Sequence, residues 1–215
     1  MGIFTDILDI VYPETCPGCG KAISESAWCK SCVRKFWNPR MISSSPSKYL
    51  WGCYTLCNYI EGVRKVLIRL KYGGKREMKK AFPELLDQFP WQERLSDCSK
   101  VIPVPLAKDR RKERGYNQVD LIFQEWMENN KRNYMPDAMI RMRNTNTQSL
   151  LSKSERYANI KGVFHINKGV DVRGENILLV DDIYTTGATM EAAAHELKRA
   201  GAGKIVGLTI ASGAK

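Results

Sequence analysis

The chain has no run of about 18 or more apolar residues, so no segment is long enough to cross a bilayer as a helix. Its start does not look like an export signal either, since Asp6 stands where a basic n-region should precede a long apolar stretch. The expectation is a cytoplasmic protein that is not integral to a membrane. Histidine is nearly absent: His165 falls in a predicted strand and His195 on a predicted helix, and neither carries weight as a functional group. Acidic residues are also short, 23 Asp plus Glu against 34 Lys plus Arg, leaving a net charge of +11. That imbalance favours polyanionic partners, nucleic acid or phosphorylated metabolites, without choosing between them. There is no internal repeat, and the only biased tract is a short serine run.

What is present is enough for one full α/β core and a small appendage: 215 residues, 43% hydrophobic. Ile3, Phe4, Ile7, Leu8 and Val11 recur at helical spacing and predict a short amphipathic helix that ends at Pro13. Its polar side carries Asp6 and Asp9, which fits packing against the larger domain better than lying on a membrane.

The seven cysteines are odd in number, and four of them form two CxxC pairs, Cys16 with Cys19 and Cys29 with Cys32. Two such knuckles offer four thiolates to one tetrahedral centre, the preference of Zn2+. Pro17, Gly18 and Gly20 permit the tight first turn. All four ligand positions are filled, so the expected role is structural, with an iron–sulfur centre as the rival occupant. Cys53, Cys57 and Cys98 read as small core residues.

Ser43, Ser44, Ser45, Pro46 and Ser47 form a linker, which places a boundary near residue 46. Beyond it the pattern predicts β structure from Trp51 to Ile60. Val63, Val66, Leu67 and Leu70 mark a helix that stops at Gly73 and Gly74, and a further helical stretch ends near Pro90. Strands are expected at Val101–Val104, Met139–Met142, Val163–Ile166, Ile177–Val180 and Ile205–Ile210, with helices at Val119–Met127 and Thr189–Arg199. Such alternation implies an α/β fold with a mostly parallel sheet and helices on both faces, whose ligands bind beyond the carboxyl ends of the strands.

The most informative segment is ILLVDDIYTTGATM, Ile177 to Met190. A buried strand ends in Asp181 and Asp182. Then Thr185, Thr186, Gly187, Ala188 and Thr189 lead into a helix, where backbone N–H groups and hydroxyls can cradle a phosphate. Two adjacent carboxylates repel each other unless cationic or hydroxylic partners are supplied, and a ribose with its Mg2+ supplies both. The segment resembles the phosphoribosyl pyrophosphate motif of type I phosphoribosyltransferases, with Tyr184 where an aliphatic residue is more usual. The resemblance implies that Asp181 and Asp182 contact the ribose hydroxyls and that the turn from Thr185 to Thr189 holds the 5′-phosphate. It implies a phosphoribosyltransferase-like domain over residues 47–215, with the helix and zinc module in residues 1–46.

The strand VIPVP is followed by AKDRRKERGYNQ, read as a basic loop carrying Lys108, Arg110, Arg111, Lys112 and Arg114. In the type I fold the corresponding loop binds pyrophosphate, which makes Arg114, with Asp181 and Asp182, a candidate catalytic residue; a solvated basic loop is the alternative. Arg141, Gln148, Arg156 and Asn159 lie in a polar segment at the place of that fold's mobile catalytic loop. The four-cysteine module, RGYNQ, this Arg/Gln/Arg/Asn segment and VDDIYTTGAT, in that order, resemble the ComF family of competence proteins. The resemblance implies an accessory of natural transformation acting on incoming single-stranded DNA with a DNA translocase and recombination-loading proteins, at the inner face of the membrane through those partners. A basic helix from Glu61 to Lys80, with Tyr72 nearby, fits that role or is an ordinary solvated face.

Three functions stay open at this stage. One is a nucleic-acid handling module that keeps a phosphoribosyl pyrophosphate site. Another is a Mg2+-dependent phosphoribosyltransferase, although no segment that would read a nucleobase is evident. The third is a scaffold whose nucleotide site regulates its partners.

Overall fold

A computed structural model describes residues 14–24, 26–42, 49–142 and 162–214. The leading helix and the serine linker expected from the sequence lie outside the described residues. The first described elements are helix α1 (Lys30–Phe36) and strand β1 (Trp37–Ile42). Strand β2 (Gly52–Asn58) follows, then helix α2 (Glu61–Tyr72), a 3-10 turn at Arg76–Ala81 and helix α3 (Pro83–Asp87). Next come strand β3 (Lys100–Pro103), helices α4 (Lys108–Arg114) and α5 (Gln118–Asn129), and strands β4 (Asn133–Tyr134) and β5 (Met139–Arg141). Strand β6 (Phe164–Ile166), strand β7 (Ile177–Tyr184), helix α6 (Ala188–Arg199) and strand β8 (Ile205–Ser212) complete the order.

Six strands form one sheet in the order β1-β2-β8-β7-β3-β4, parallel throughout except where β1 pairs antiparallel with β2. The continuous apolar runs of β7 and β8 suit the middle of a sheet covered on both sides. Pleating divides their side chains: Leu178, Val180, Val206 and Leu208 enter one apolar cluster, and Ile177, Leu179 and Ile205 enter another. The first cluster is closed by Val63, Val66, Leu67 and Leu70 of α2 and by Val119, Ile122 and Phe123 of α5. The second is closed by Ala193, Ala194 and Leu197 of α6. Cys53, Cys57 and Cys98 are buried core residues as expected.

Four sequence expectations need correction. The basic helix does not run to Lys80; it ends at Tyr72, because Gly73 and Gly74, the latter at φ +62, leave the helical path. The segment after VIPVP is a helix, α4, not a loop. Its Lys, Arg and Glu residues are good helix formers, Asp109 sits in the first turn, and Arg111, Lys112 and Arg114 fill the last, complementing the helix dipole. Strand β7 continues four residues past Val180, so Asp181 and Asp182 lie within it instead of beyond its end. Strand β1 was missed, since WNPRMI alternates poorly and includes a proline, which an edge strand tolerates.

The four-cysteine segment seats directly on α2. A Cβ at Gly62 would lie 3.2 Å from the Gly18 Cα, so two glycines allow backbone to meet backbone. Trp28, fully buried, donates its indole N–H to the Ala81 carbonyl at 2.6 Å, and the Ala27 amide donates to Glu84 Oε2 at 2.8 Å. A Gly62→Val substitution is expected to force these segments apart and to cost about 1–3 kcal/mol, read as a lower melting temperature. An unchanged melt would show that the close approach is not needed.

Candidate functional site

Strand β7 carries the acidic pair, and the two-residue pleat turns its neighbours to opposite faces. Asp182 points to the side covered by α2, where Lys71 Nζ lies 2.5 Å from its Oδ2. The two side chains are 19% and 5% exposed, so the pair is nearly dry. Breaking such a pair by removing one partner costs about 3–5 kcal/mol, because the other charge is left buried alone. Burial alone would push the Lys71 ammonium down, but the Asp182 charge and contact outweigh it and hold lysine above its ordinary value. Asp181 is also buried and accepts a hydrogen bond from the Asp182 amide at 2.8 Å. Burial first, and then the Asp182 charge, push its carboxyl well above the usual range, against a smaller opposing pull from Lys71.

Lys71 is one of the residues of the basic helix expected either to track a nucleic-acid strand or to be solvated, but it is turned inward to this carboxylate. Its side chain also lines a cleft of about 350 Å³ with Tyr72, Gly74, Arg110, Glu113, Arg114 and Tyr116. The cleft is held together by contacts between α2 and the end of α4. The Tyr116 hydroxyl donates to the Leu70 carbonyl at 2.6 Å, the Arg114 guanidinium lies 5.3 Å from the Tyr72 ring centre, and Arg76 lies 4.7 Å from that of Tyr116. Arg114 also donates to Gln118 Oε1. The RGYNQ segment thus has a structural logic: Gly115 at φ +77 closes α4, Tyr116 ties it to α2, and the Asn117 side chain accepts from the Val119 amide to start α5. Arg110, Arg111 and Lys112 are exposed, and Arg111 pairs with Asp137 at 3.4 Å.

The threonine turn follows β7 directly. Gly187, at φ +80, precedes α6, and Tyr184 is folded beneath it so closely that a Cβ on Gly187 would collide with the Tyr184 hydroxyl. The unusual tyrosine therefore needs the glycine as much as the turn does. Thr185 is exposed, Thr186 and Thr189 are partly exposed, and Gly187 and Ala188 are buried. The Ala188 amide donates to Thr186 Oγ1 at 3.5 Å. Arg141 stands at the end of β5, 5.7 Å from the Phe164 ring centre, where burial first and then the nearby Arg110 charge draw its guanidinium below the ordinary value. Gln148, Arg156 and Asn159 lie outside the described residues. His165 lies 3.7 Å from Glu196, and His195 packs edge-on to Tyr49, both away from the acidic pair's partners.

The Sγ atoms of Cys16, Cys19, Cys29 and Cys32 all lie within 4.8 Å of one another, with Cys19 and Cys29 at 3.6 Å. A tetrahedral Zn2+ with bonds of about 2.3 Å would set its sulfurs roughly 3.8 Å apart, so the donor set fits. Burial pushes the Cys16 thiol up, but backbone N–H groups of Cys29, Cys19 and Gly18 aimed at the sulfur bring it to about 7. Burial and the neighbouring thiols push Cys32 the other way. Four thiolates at this distance require a cation among them. A divalent metal held by the aspartates does not fit equally well. Lys71 already neutralises Asp182, and the four thiols are the only cluster of three or more metal-ligating side chains among the described residues.

A mostly parallel sheet, an acidic pair in a central strand and a threonine–glycine turn into a helix define a phosphoribosyltransferase-type domain, here carrying a zinc-ribbon module. Residues 129–213 match the family model of the Phosphoribosyl transferase domain, and residues 7–42 match that of the Double zinc ribbon domain. The chain is similar to Competence protein ComFC of Bacillus subtilis, 32% identical with 86% of this chain and 72% of that protein covered. It is 30% identical to DNA utilization protein YhgH of Shigella flexneri, covering 88% and 80%, and 27% identical to Competence protein F of Haemophilus influenzae, covering 92% and 90%. The chain belongs to the ComF family. No helix among the described residues is long and apolar enough to cross a membrane.

Two outcomes follow for these sites. Cys29→Ser is expected to remove the zinc found by elemental analysis and to lower the melting temperature; a variant that keeps both its metal and its melt would contradict the four-thiol centre. The second concerns Asp181, whose proton is held by the fold above the ordinary value of 3.8. The unfolded chain releases that proton first, so the native state loses stability as pH rises from about 4 through the raised value. Asp181→Asn removes this loss, so the variant should gain on the wild type as melts move from about pH 4 to about pH 8. Parallel pH profiles would show that the carboxyl is not raised.

Proposed function

We propose that this chain is a ComF-type competence protein that handles single-stranded DNA and keeps a binding site for phosphoribosyl pyrophosphate. The observation that carries the reading is the cleft between α2 and α4, where an exposed aromatic ring and fixed cations meet beside the acidic pair. Tyr72 is 74% exposed and has a guanidinium on one side; its ring is a platform for a base. Arg64, Arg69, Lys75 and Arg76 are exposed and continue the positive charge along the same segment, with Lys75 3.8 Å from Glu77. Lys79 is engaged by Glu125 at 2.9 Å and contributes less. The net charge of +11 and the printed names of the relatives, competence and DNA utilization proteins, point the same way.

In this reading the strand crosses the rim of the cleft, while the floor and the threonine turn take the diphosphate and the 5′-phosphate. The partners are those of incoming DNA, a translocase and recombination-loading proteins, met at the inner face of the membrane through them. The retained acidic pair and turn favour a second reading, a phosphoribosyltransferase of nucleotide or base metabolism. That reading stands on turnover of phosphoribosyl pyrophosphate with a nucleobase, which the first expects to be nil.

The test is fluorescence anisotropy with a single-stranded oligonucleotide across a salt series. Affinity should fall steeply with salt, each lost phosphate contact reducing the slope by about 0.7, as Arg76→Gln is expected to do. Tyr72→Ala should weaken binding by about 1–3 kcal/mol at every salt concentration. Absence of binding at low salt would sink the proposal.

A further inference from the structure

We propose that Lys71 is the resident cation of this site: its ammonium stands where a divalent metal would bridge acidic pair and ligand diphosphate, so that phosphoribosyl pyrophosphate binds without Mg2+. The inference rests on the phosphoribosyl reading given above. A metal in such a site has to neutralise carboxylate charge on one side and diphosphate charge on the other. Lys71 is placed to do both, since it touches Asp182 and also lines the cleft that holds Arg110 and Arg114. An ammonium has three donors; one is spent on the carboxylate and the others are available toward the cleft.

Its position is fixed before any ligand arrives. Lys71 sits in the last turn of α2 between buried Leu70 and the Gly73–Gly74 break, and the Tyr116 hydroxyl on the Leu70 carbonyl locks that turn to the end of α4. Arg141, beside Phe164, adds a second cation near Asp181, and the exposed Arg110 lies close enough for its charge to be felt at Arg141. Lys71 and Arg141 are cations already placed beside the acidic pair, and a divalent ion entering beside Asp182 would have to expel a lysine it repels.

The experiment is calorimetric titration of the full, zinc-loaded chain with phosphoribosyl pyrophosphate, in buffer freed of Mg2+ on a chelating resin before the protein is added and in excess Mg2+, with ribose 5-phosphate as a probe that carries no diphosphate. Wild type should bind phosphoribosyl pyrophosphate with affinities within about threefold in the two buffers. Lys71→Met should lose about tenfold or more without Mg2+ and recover with it, while Lys71→Arg stays independent of Mg2+. Manganese paramagnetic resonance gives a readout without the sugar ligand: free wild type should bind no Mn2+, and Lys71→Met should. Wild type that binds ribose 5-phosphate but needs Mg2+ for phosphoribosyl pyrophosphate overturns the inference and leaves the site standing. Failure of both sugars to bind in either buffer removes the site itself. The wild-type comparison decides the matter even if Lys71→Met does not fold.

Discussion

The Lys71 ammonium and the Asp182 carboxylate meet 2.5 Å apart in a place where neither could stand alone. The carboxylate is fixed by β7, at the centre of the sheet; the ammonium comes from α2, across the apolar cluster. Their contact therefore sets how far the end of α2 lies from the strand. The cleft floor, the Gly73–Gly74 turn and the exposed Tyr72 follow from that placement. Asp181, one residue earlier, faces the other way and takes its stability from being uncharged. Neighbouring aspartates that look equivalent in the sequence are both buried but placed in different environments by the pleat, one paired with the Lys71 ammonium and one held protonated.

The zinc module bears on the same helix. Gly18 and Gly62 let its first knuckle press on the start of α2, Trp28 is tied to Ala81, and Glu84 receives the Ala27 amide. Cysteine knuckle, helix and carboxylate form a contiguous set of contacts, from the four thiols at one end of α2 to Lys71 at the other. The module's role as a buttress is a matter of contact, and it gives structural content to a cysteine cluster that has no open coordination position for chemistry.

Much of this was legible in the sequence because its signals are local. The paired CxxC knuckles, the apolar runs of β7 and β8 and the threonine–glycine turn each follow from spacing within a short window, and each falls where expected. Most of the errors have one cause, which is that tertiary partners are invisible to a local pattern. Lys71 reads as one more basic residue on a basic helix, and only the sheet beneath it makes it a counter-ion. Gly62 offers no signal inside a helix until Gly18 is placed against it. AKDRRKERGYNQ reads as a loop for want of apolar periodicity, yet an exposed helix of seven residues needs none when its charges follow the dipole and a glycine closes it. Strand β1 hides behind a proline that only an edge position permits.

The central claim, that a lysine stays charged in a nearly dry site to hold one aspartate while its neighbour keeps its proton, is tested most directly by nuclear magnetic resonance titration of the Lys71 ammonium and the Asp181 carboxyl. The account predicts a Lys71 signal that remains ammonium beyond the ordinary lysine value of 10.5, and an Asp181 carboxyl that titrates well above 3.8. A Lys71 that loses its proton below 10.5, or an Asp181 that titrates like an exposed aspartate, would contradict it.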